Sequence, residues 1–185
     1  MSEINNAFEG TVLTSEEVQQ DLAAMVEYYK DMTLESQILD QGLPIPMVLA
    51  VMEEDEKGRP RSVVNSFVPL DRESARFTKY IQYYCELADE VENIPREDLY
   101  EVMNVLNARL PAGSCILVEP RPEMNLPLKM GVRLIQGFPV RMPLDQGVFT
   151  ETLFLFDQSC SFVSYVLDAL AEGKTPAEAL AVIGA

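Results

Sequence analysis

Apolar and polar residues follow one another along the 185-residue chain with two periods, which predict helices in some stretches and strands in others. Residues 15–31 and 96–109 carry apolar side chains three or four positions apart, the spacing of amphipathic helices. A third helix is predicted over 149–173, and a short fourth one after Thr175 and Pro176. Stretches rich in Val, Ile, Leu and Tyr between turn residues predict strands at 47–54, 62–70, 77–88, 114–121 and 128–140, with an ambiguous strand at 34–39.

In the strand predicted at 77–88, the sequence alternates between residues expected on one face and residues expected on the other. Ile81 and Tyr83 alternate with Tyr80 and Tyr84, which is the period of two that strands have. We therefore expect Ile81 and Tyr83 in the core, and Tyr80 and Tyr84 facing solvent or a neighbouring molecule.

This order of elements predicts an α+β fold with a mainly antiparallel sheet of five or six strands, packed on one face by helices. The predicted order is α-β-β-β-α-β-β-α. Thr14, followed three residues later by Glu17, forms a capping box that marks the start of the first helix. We expect residues 1–13 to be a flexible N-terminal arm and residues 14–185 to be a single domain.

The helix at 149–173 is apolar on two sides. One side is expected to pack on the sheet, and a second apolar stripe lies roughly 120° away from it. The second stripe consists of Leu155, Phe162, Val166 and Ala169. Burying side chains of this size stabilises a protein by roughly 1.5–3 kcal/mol each, and a monomer rarely leaves such a patch wet. Three alternatives could bury the second stripe: the rest of the chain, a second copy of it, or another protein.

Acidic residues outnumber basic ones by 30 to 14, which gives the chain a formal net charge of −16. Nucleic acids and anionic membranes are bound through Lys and Arg, so neither is an expected partner. The acids are concentrated in residues 1–101, which hold 22 acids and 8 bases, whereas residues 102–185 hold 8 acids and 6 bases. Two interpretations explain this distribution. The first half has a chance excess of solvated acids, or an acidic first half keeps a more apolar second half in solution.

The residue types of common catalytic sites are missing or unsuitably spaced. The chain has no histidine, which excludes Ser-His and Cys-His nucleophilic pairs. Cys85, Cys115 and Cys160 are far apart and lack zinc spacing, so we expect buried free thiols. Carboxylate pairs remain as candidates for acid–base work: Asp71 with Glu73, and Asp89 with Glu90 and Glu92. These carboxylates lie in polar connectors, where acids are common, so we expect no catalytic residue. We also expect no metal and no cofactor.

The sequence predicts a cytoplasmic location. No run of about 18 apolar residues is present, so we expect no membrane-spanning helix. The first residues, MSEINNAFEG, lack the basic and apolar regions of a signal peptide. Unpaired cysteines fit a reducing compartment.

The order of elements resembles that of the YbjN family, which has a type III secretion chaperone-like fold. The segments that carry the resemblance are SCILVEPR with LKMGVRLIQG, and then GVFTETLFLFDQSCSFVSYVLDALAEGKTPAEAL. It covers roughly residues 15–172 and depends on apolar spacing rather than on catalytic motifs. The resemblance implies a helix–sheet sandwich that often dimerises, a role in binding or regulating other proteins, and no catalytic residues.

We therefore expect a non-enzymatic protein-interaction module, regulatory or chaperone-like, that acts as a homodimer and has a client protein as a further partner. The expected partner-binding or dimer face consists of Leu155, Phe162, Val166, Ala169, Tyr80 and Tyr84. The alternative from another class is a small-ligand binder, or a carboxylate-based enzyme, that uses a cleft between helix and sheet. A structural subunit of a larger assembly is a third hypothesis.

Overall fold

The computed structural model describes residues 8–41, 43–120 and 126–184 of the chain. Its elements follow the order helix, four strands, helix, two strands, two helices. In chain order they are α1 (Ser15–Asp31), β1 (Ser36–Leu39), β2 (Met47–Met52), β3 (Arg61–Phe67), β4 (Thr78–Glu86), α2 (Arg96–Arg109), β5 (Ser114–Val118), β6 (Lys129–Pro139), α3 (Gln146–Ala171) and α4 (Pro176–Ala181).

The six strands found in the described residues form one sheet in the order β1-β2-β3-β4-β6-β5. β1 pairs antiparallel with β2, with Ser36 opposite Ala50, and β5 pairs antiparallel with β6, with Ser114 opposite Arg133. The α+β class and the mainly antiparallel sheet are confirmed. The ambiguous segment 34–39 contains the additional strand, which brings the sheet to six strands.

The chain divides into two compact units, and each consists of three segments. Unit 1 contains Met1–Glu53, Ser62–Tyr83 and Ile135–Glu151, and unit 2 contains Glu54–Arg61, Tyr84–Leu134 and Thr152–Ala185. β4, β6 and α3 each contribute residues to both units. The single domain predicted over residues 14–185 therefore stays a prediction, and the units are described separately.

The core of unit 1 forms between α1 and the strands. The apolar stripe of α1, with Val18, Leu22 and Met25, is fully buried, and α1 packs on β1 and β2. The capping box predicted at Thr14 is present, since the backbone N–H of Thr14 donates to Glu17 Oε2 at 3.0 Å and the N–H of Glu17 donates to Thr14 Oγ1 at 3.2 Å. These bonds satisfy N–H groups that the first turn of a helix leaves without partners.

Residues 8–13, the described part of the segment predicted as a flexible arm over residues 1–13, contact the rest of unit 1. Phe8 and Thr11 are buried, and the Phe8 ring lies 6.2 Å from the ring of Phe67 in an edge-on arrangement. Thr11 forms a bridge with Asp71, and its carbonyl accepts a hydrogen bond of 2.8 Å from Arg72 Nε. The apolar contact and these backbone bonds fix this segment on unit 1, and residues 1–7 lie outside the described part of the chain.

The core of unit 2 is formed by one side of α3 with α2, β5 and the start of β6. Leu99, Val102 and Leu106 of α2 are fully buried, and α2 packs on β5 and α4. Asn107 of α2 binds the backbone of Cys115, because its Oδ1 accepts from the Cys115 N–H at 2.6 Å and its Nδ2 donates to the Cys115 carbonyl at 3.4 Å. The three cysteines are buried, as predicted, and none forms a disulfide bond within the described residues.

Helix α3 is long and apolar enough, by length and composition alone, to cross a membrane, which the sequence reading did not expect. The mean hydropathy of its best 18-residue window is 1.2, and 56% of that window is buried within the structure. Burial of this extent is typical of the core helix of a globular protein, so the helix is weak support for a membrane span.

Candidate functional site

Helix α3 keeps large apolar side chains on its exposed side in unit 2. Phe154 is 65% exposed, Leu155 is 39% exposed, and Phe162 is half-buried. At about 100° per residue, these three side chains lie within roughly 100° of arc on the helix. We call Phe154, Leu155 and Phe162 the α3 patch.

The second apolar stripe predicted for this helix is divided between core and surface. Val166 is 0% exposed and Ala169 is 3% exposed, so both lie in the core of unit 2. Leu155 and Phe162 remain accessible. Phe154, which the sequence reading did not select, is more exposed than either of them. Val166 and Ala169 are therefore left out of the candidate partner face, and Phe154 joins it.

Helix α3 carries two carboxylates in unit 2, and both are paired with basic side chains. These basic side chains belong to the segment before β3 and to the first residue of β3. Arg61 Nη1 lies 3.4 Å from Asp157 Oδ1 and donates to Ser161 Oγ at 2.9 Å. Asp168 Oδ1 accepts from Arg59 Nη1 and from Lys57 Nζ, each at 2.9 Å. The two acids that share the unit-2 part of α3 with the α3 patch are therefore both ion-paired.

Arg59 is the centre of an ion cluster that attaches the β2–β3 hairpin tip to α3 within unit 2. Its Nε lies 2.5 Å from Asp55 Oδ2, its Nη1 lies 2.6 Å from Asp89 Oδ1, and its Nη2 donates to Asp168 Oδ2 at 3.0 Å. Ser164 Oγ donates to Asp89 Oδ2 at 3.1 Å. We call Arg59, Asp55, Asp89 and Asp168 the Arg59 cluster; it shows that the tip is anchored.

The cluster shifts the pKa values of its acids in opposite directions. Burial raises the pKa of Asp89 above its ordinary value, although Arg59 and Ser164 oppose the shift. Burial would also raise the pKa of Asp55, but hydrogen bonds from the backbone and side chain of Arg59 lower it overall. Of Asp55 and Asp89, Asp89 is therefore the one that takes up a proton first as the pH falls.

The structure does not bring the predicted carboxylate pairs together for acid–base chemistry. Asp89 is buried in the Arg59 cluster, whereas Glu90 and Glu92 are exposed. Asp71 is exposed and caps a turn, since its Oδ1 accepts from the N–H groups of Glu73 and Ser74, both at 2.9 Å. Asp71 and Asp89 therefore each have a structural role that explains their position.

Tyr80 and Tyr84 cover glycines of the neighbouring strand β6. In unit 1, a Cβ on Gly137 would come within 3.3 Å of Tyr80 Cε1, and in unit 2 a Cβ on Gly131 would come within 3.0 Å of Tyr84 Cε2. Both rings are half-buried. They pack on the outer face of the sheet above positions without side chains, a known way to pin strand register.

Unit 1 contains a cleft between α1 and the segment that follows β6, with a cavity of ≈ 290 Å³. The pair at its inner end is buried, with Lys79 3% exposed and Asp21 5% exposed. Lys79 Nζ lies 2.6 Å from Asp21 Oδ2 and donates to the Met142 carbonyl at 2.7 Å. The residues that line the cleft are Glu17, Gln20, Asp21, Ala24, Lys79, Val140, Arg141, Met142, Pro143 and Leu144.

Hydrogen bonds hold both walls of this cleft in place. The Leu144 N–H donates to the Asp21 carboxylate, and the Leu144 carbonyl accepts from Tyr28 Oη at 2.6 Å. Burial raises the pKa of Asp21, while the hydrogen bond and charge of Lys79 oppose this shift. Lys79 continues the buried alternation of Ile81 and Tyr83, but no local pattern predicts its contact with Asp21, 58 positions away.

No protein-family model, curated protein or solved structure matches this chain in the comparisons. The functional interpretation therefore depends on the geometry of these sites.

Proposed function

We propose that the protein is a non-enzymatic interaction module, regulatory or chaperone-like, which acts in the cytoplasm as a homodimer and also binds a client protein. The observation that carries this proposal is the α3 patch, in which Phe154 is 65% exposed on a helix whose unit-2 acids are paired. Exposed aromatic side chains of this size are enriched at the centres of protein interfaces. Membership of the YbjN family would agree with this function and is part of the same proposal.

The charge of the chain favours the α3 patch as the place where two copies meet. Each copy carries a net charge of −16, so two acidic surfaces would repel each other. In unit 2, the carboxylates of α3 are compensated by Arg59, Arg61 and Lys57. A symmetric contact between two α3 patches would bury apolar surface without bringing uncompensated acids of this helix segment together.

Sedimentation velocity over a dilution series tests this proposal. We expect the wild type to shift from dimer to monomer on dilution, and Phe154→Asp to remain a monomer because it places a charge within the contact. Phe77→Asp is the matched control, since Phe77 is 80% exposed in unit 1 and lies outside the α3 patch. A wild type that is monomeric at every concentration, or a Phe154→Asp variant that still dimerises, would contradict the proposal.

A second candidate function, the binding of a small ligand, is favoured by the cleft of unit 1. Its inner end holds two charged side chains that are more than nine-tenths buried, and hydrogen bonds hold its walls. Preformed concave sites with a few converging polar groups are typical of ligand sites. This candidate is compatible with dimerisation through the α3 patch, because the residues that line the cleft are different ones.

A further inference from the structure

At the inner end of the cleft in unit 1, Lys79 has more hydrogen-bond donors than the described acceptors engage. A lysine ammonium carries three N–H donors. Asp21 and the Met142 carbonyl account for two donors of Lys79. Lys79 is also one of the residues that line the cleft. Its third donor is therefore available to an acceptor that enters the cleft, where burial makes the hydrogen bond valuable.

The charges around the cleft favour an uncharged ligand. Its lining contains two acids and two bases, Glu17, Asp21, Lys79 and Arg141, which are formally neutral together. An anion would be repelled by Asp21 and by the net charge of −16, and a cation would meet the ammonium of Lys79 at the inner end. Only a neutral acceptor avoids both penalties.

The remaining lining determines the size and shape of such a ligand. Ala24, Val140, Met142 and Leu144 provide apolar walls. The volume of ≈ 290 Å³ lies at the lower end of the range of about 300–1,000 Å³ that small-molecule sites span. A short, branched apolar body with one polar head would fill it.

We propose that the cleft of unit 1 binds a small uncharged carbonyl or carboxamide compound, whose oxygen accepts the third N–H of Lys79 while its apolar body lies between Ala24 and Leu144. The proposal rests on the second candidate function and specifies its ligand class. Lys79 acts as the donor, and its contact with Asp21 orients the side chain.

Three probes of nearly the same shape test the charge preference: isobutyramide, isobutyrate and isobutylamine. Each is titrated into the ¹⁵N-labelled wild type while the backbone amide signals of Ala24, Met142 and Leu144 are followed. We expect saturable shifts with isobutyramide, and binding of the two charged probes at least about tenfold weaker. No saturable shift with isobutyramide, or equal or tighter binding of either charged probe, would overturn the proposal.

Two substitutions on adjacent residues of α1 test the location. Ala24→Phe fills the cleft and should abolish isobutyramide binding, whereas Ala23→Phe, at an exposed position that does not line the cleft, should leave it unchanged. If Ala24→Phe disturbs the fold, Gln20→Trp fills the cleft from an exposed lining position. Binding that survives a cleft-filling substitution in a folded variant would refute the assignment.

The same titration with Phe154→Asp separates this inference from the dimer proposal. We expect that monomeric variant to bind isobutyramide as the wild type does, because Phe154 does not line the cleft. Loss of binding in this variant would contradict a site contained within one copy of unit 1.

Discussion

Two phenylalanines on α3, only two positions apart, have opposite surroundings in unit 2. Phe156 is 0% exposed, and Phe154 is 65% exposed. Both residues belong to the apolar run LFLF, so composition does not distinguish them. The difference shows that one helix serves both as the core of the unit and as an apolar surface, and we assign the surface to self-association.

The largest effect is expected from a charge placed on the buried side of this helix. Val166→Asp should destabilise the fold by about 3–5 kcal/mol, because an unpaired carboxylate would be enclosed where Val166 is 0% exposed. Leu155→Asp, on the exposed side, is the matched control and should change the free energy of unfolding by less than about 0.5 kcal/mol in the monomer. Urea unfolding followed by circular dichroism measures both. A Val166→Asp variant that is as stable as the wild type would contradict the burial of Val166.

The second prediction exchanges each phenylalanine for alanine. Phe156→Ala should lower the free energy of unfolding by about 3–5 kcal/mol through the cavity it leaves, and Phe154→Ala by less than about 0.5 kcal/mol. The measurement is urea unfolding at a protein concentration low enough to keep the wild type monomeric. Equal losses in the two variants would eliminate the contrast between the two sides of α3.

The third prediction concerns the ion pairs that compensate Asp168 of α3 and the acids beside it in unit 2. Arg59→Met should destabilise unit 2 by about 3 kcal/mol at neutral pH, since it leaves Asp55, Asp89 and Asp168 without their shared partner. Arg96→Met is the control, because its pair with Glu119 is exposed to solvent and should affect stability far less. Chemical unfolding of both variants decides whether the Arg59 cluster is structural.

The smallest effect is the pH dependence that Asp89 contributes. Its pKa is raised by burial above 3.8, so the folded state binds the proton more tightly than the unfolded state does. As the pH falls through the raised pKa towards 3.8, the wild type should therefore gain stability relative to Asp89→Asn. Unfolding of both proteins between pH 7 and pH 4 measures this difference. A difference that runs the other way would mean that Arg59 lowers the pKa of Asp89.

The fold could be predicted to a large extent because its signals are local. The capping box at Thr14, the N-cap at Thr175 and the alternation of Ile81 and Tyr83 each depend on residues within a few positions of one another, and all are present in the structure. The ambiguous strand β1 is short and carries little period, which explains why its assignment stayed open.

The candidate sites could be predicted only in part because they depend on long-range contacts. Arg59 and Asp168 are separated by 109 positions, and no local pattern relates them. The burial of Val166 and Ala169 depends on which elements pack against α3. The helical periodicity of the sequence predicts only the side of the helix on which these residues lie. Phe154 was missed because its angle on the helix falls among the polar residues, about 40° from Asp168, and outside both apolar stripes that the sequence suggested.

The most direct test of the central claim compares Phe154 and Phe77 in the same wild-type protein by hydroxyl-radical footprinting at low and high concentration. Both rings are exposed in the isolated chain, at 65% and 80%, so Phe77 is an internal control. If two copies associate through the α3 patch, labelling of Phe154 and Leu155 falls as the concentration rises, and labelling of Phe77 does not change. Equal labelling of Phe154 at both concentrations, in samples that sedimentation shows to be monomeric and dimeric, would contradict the account.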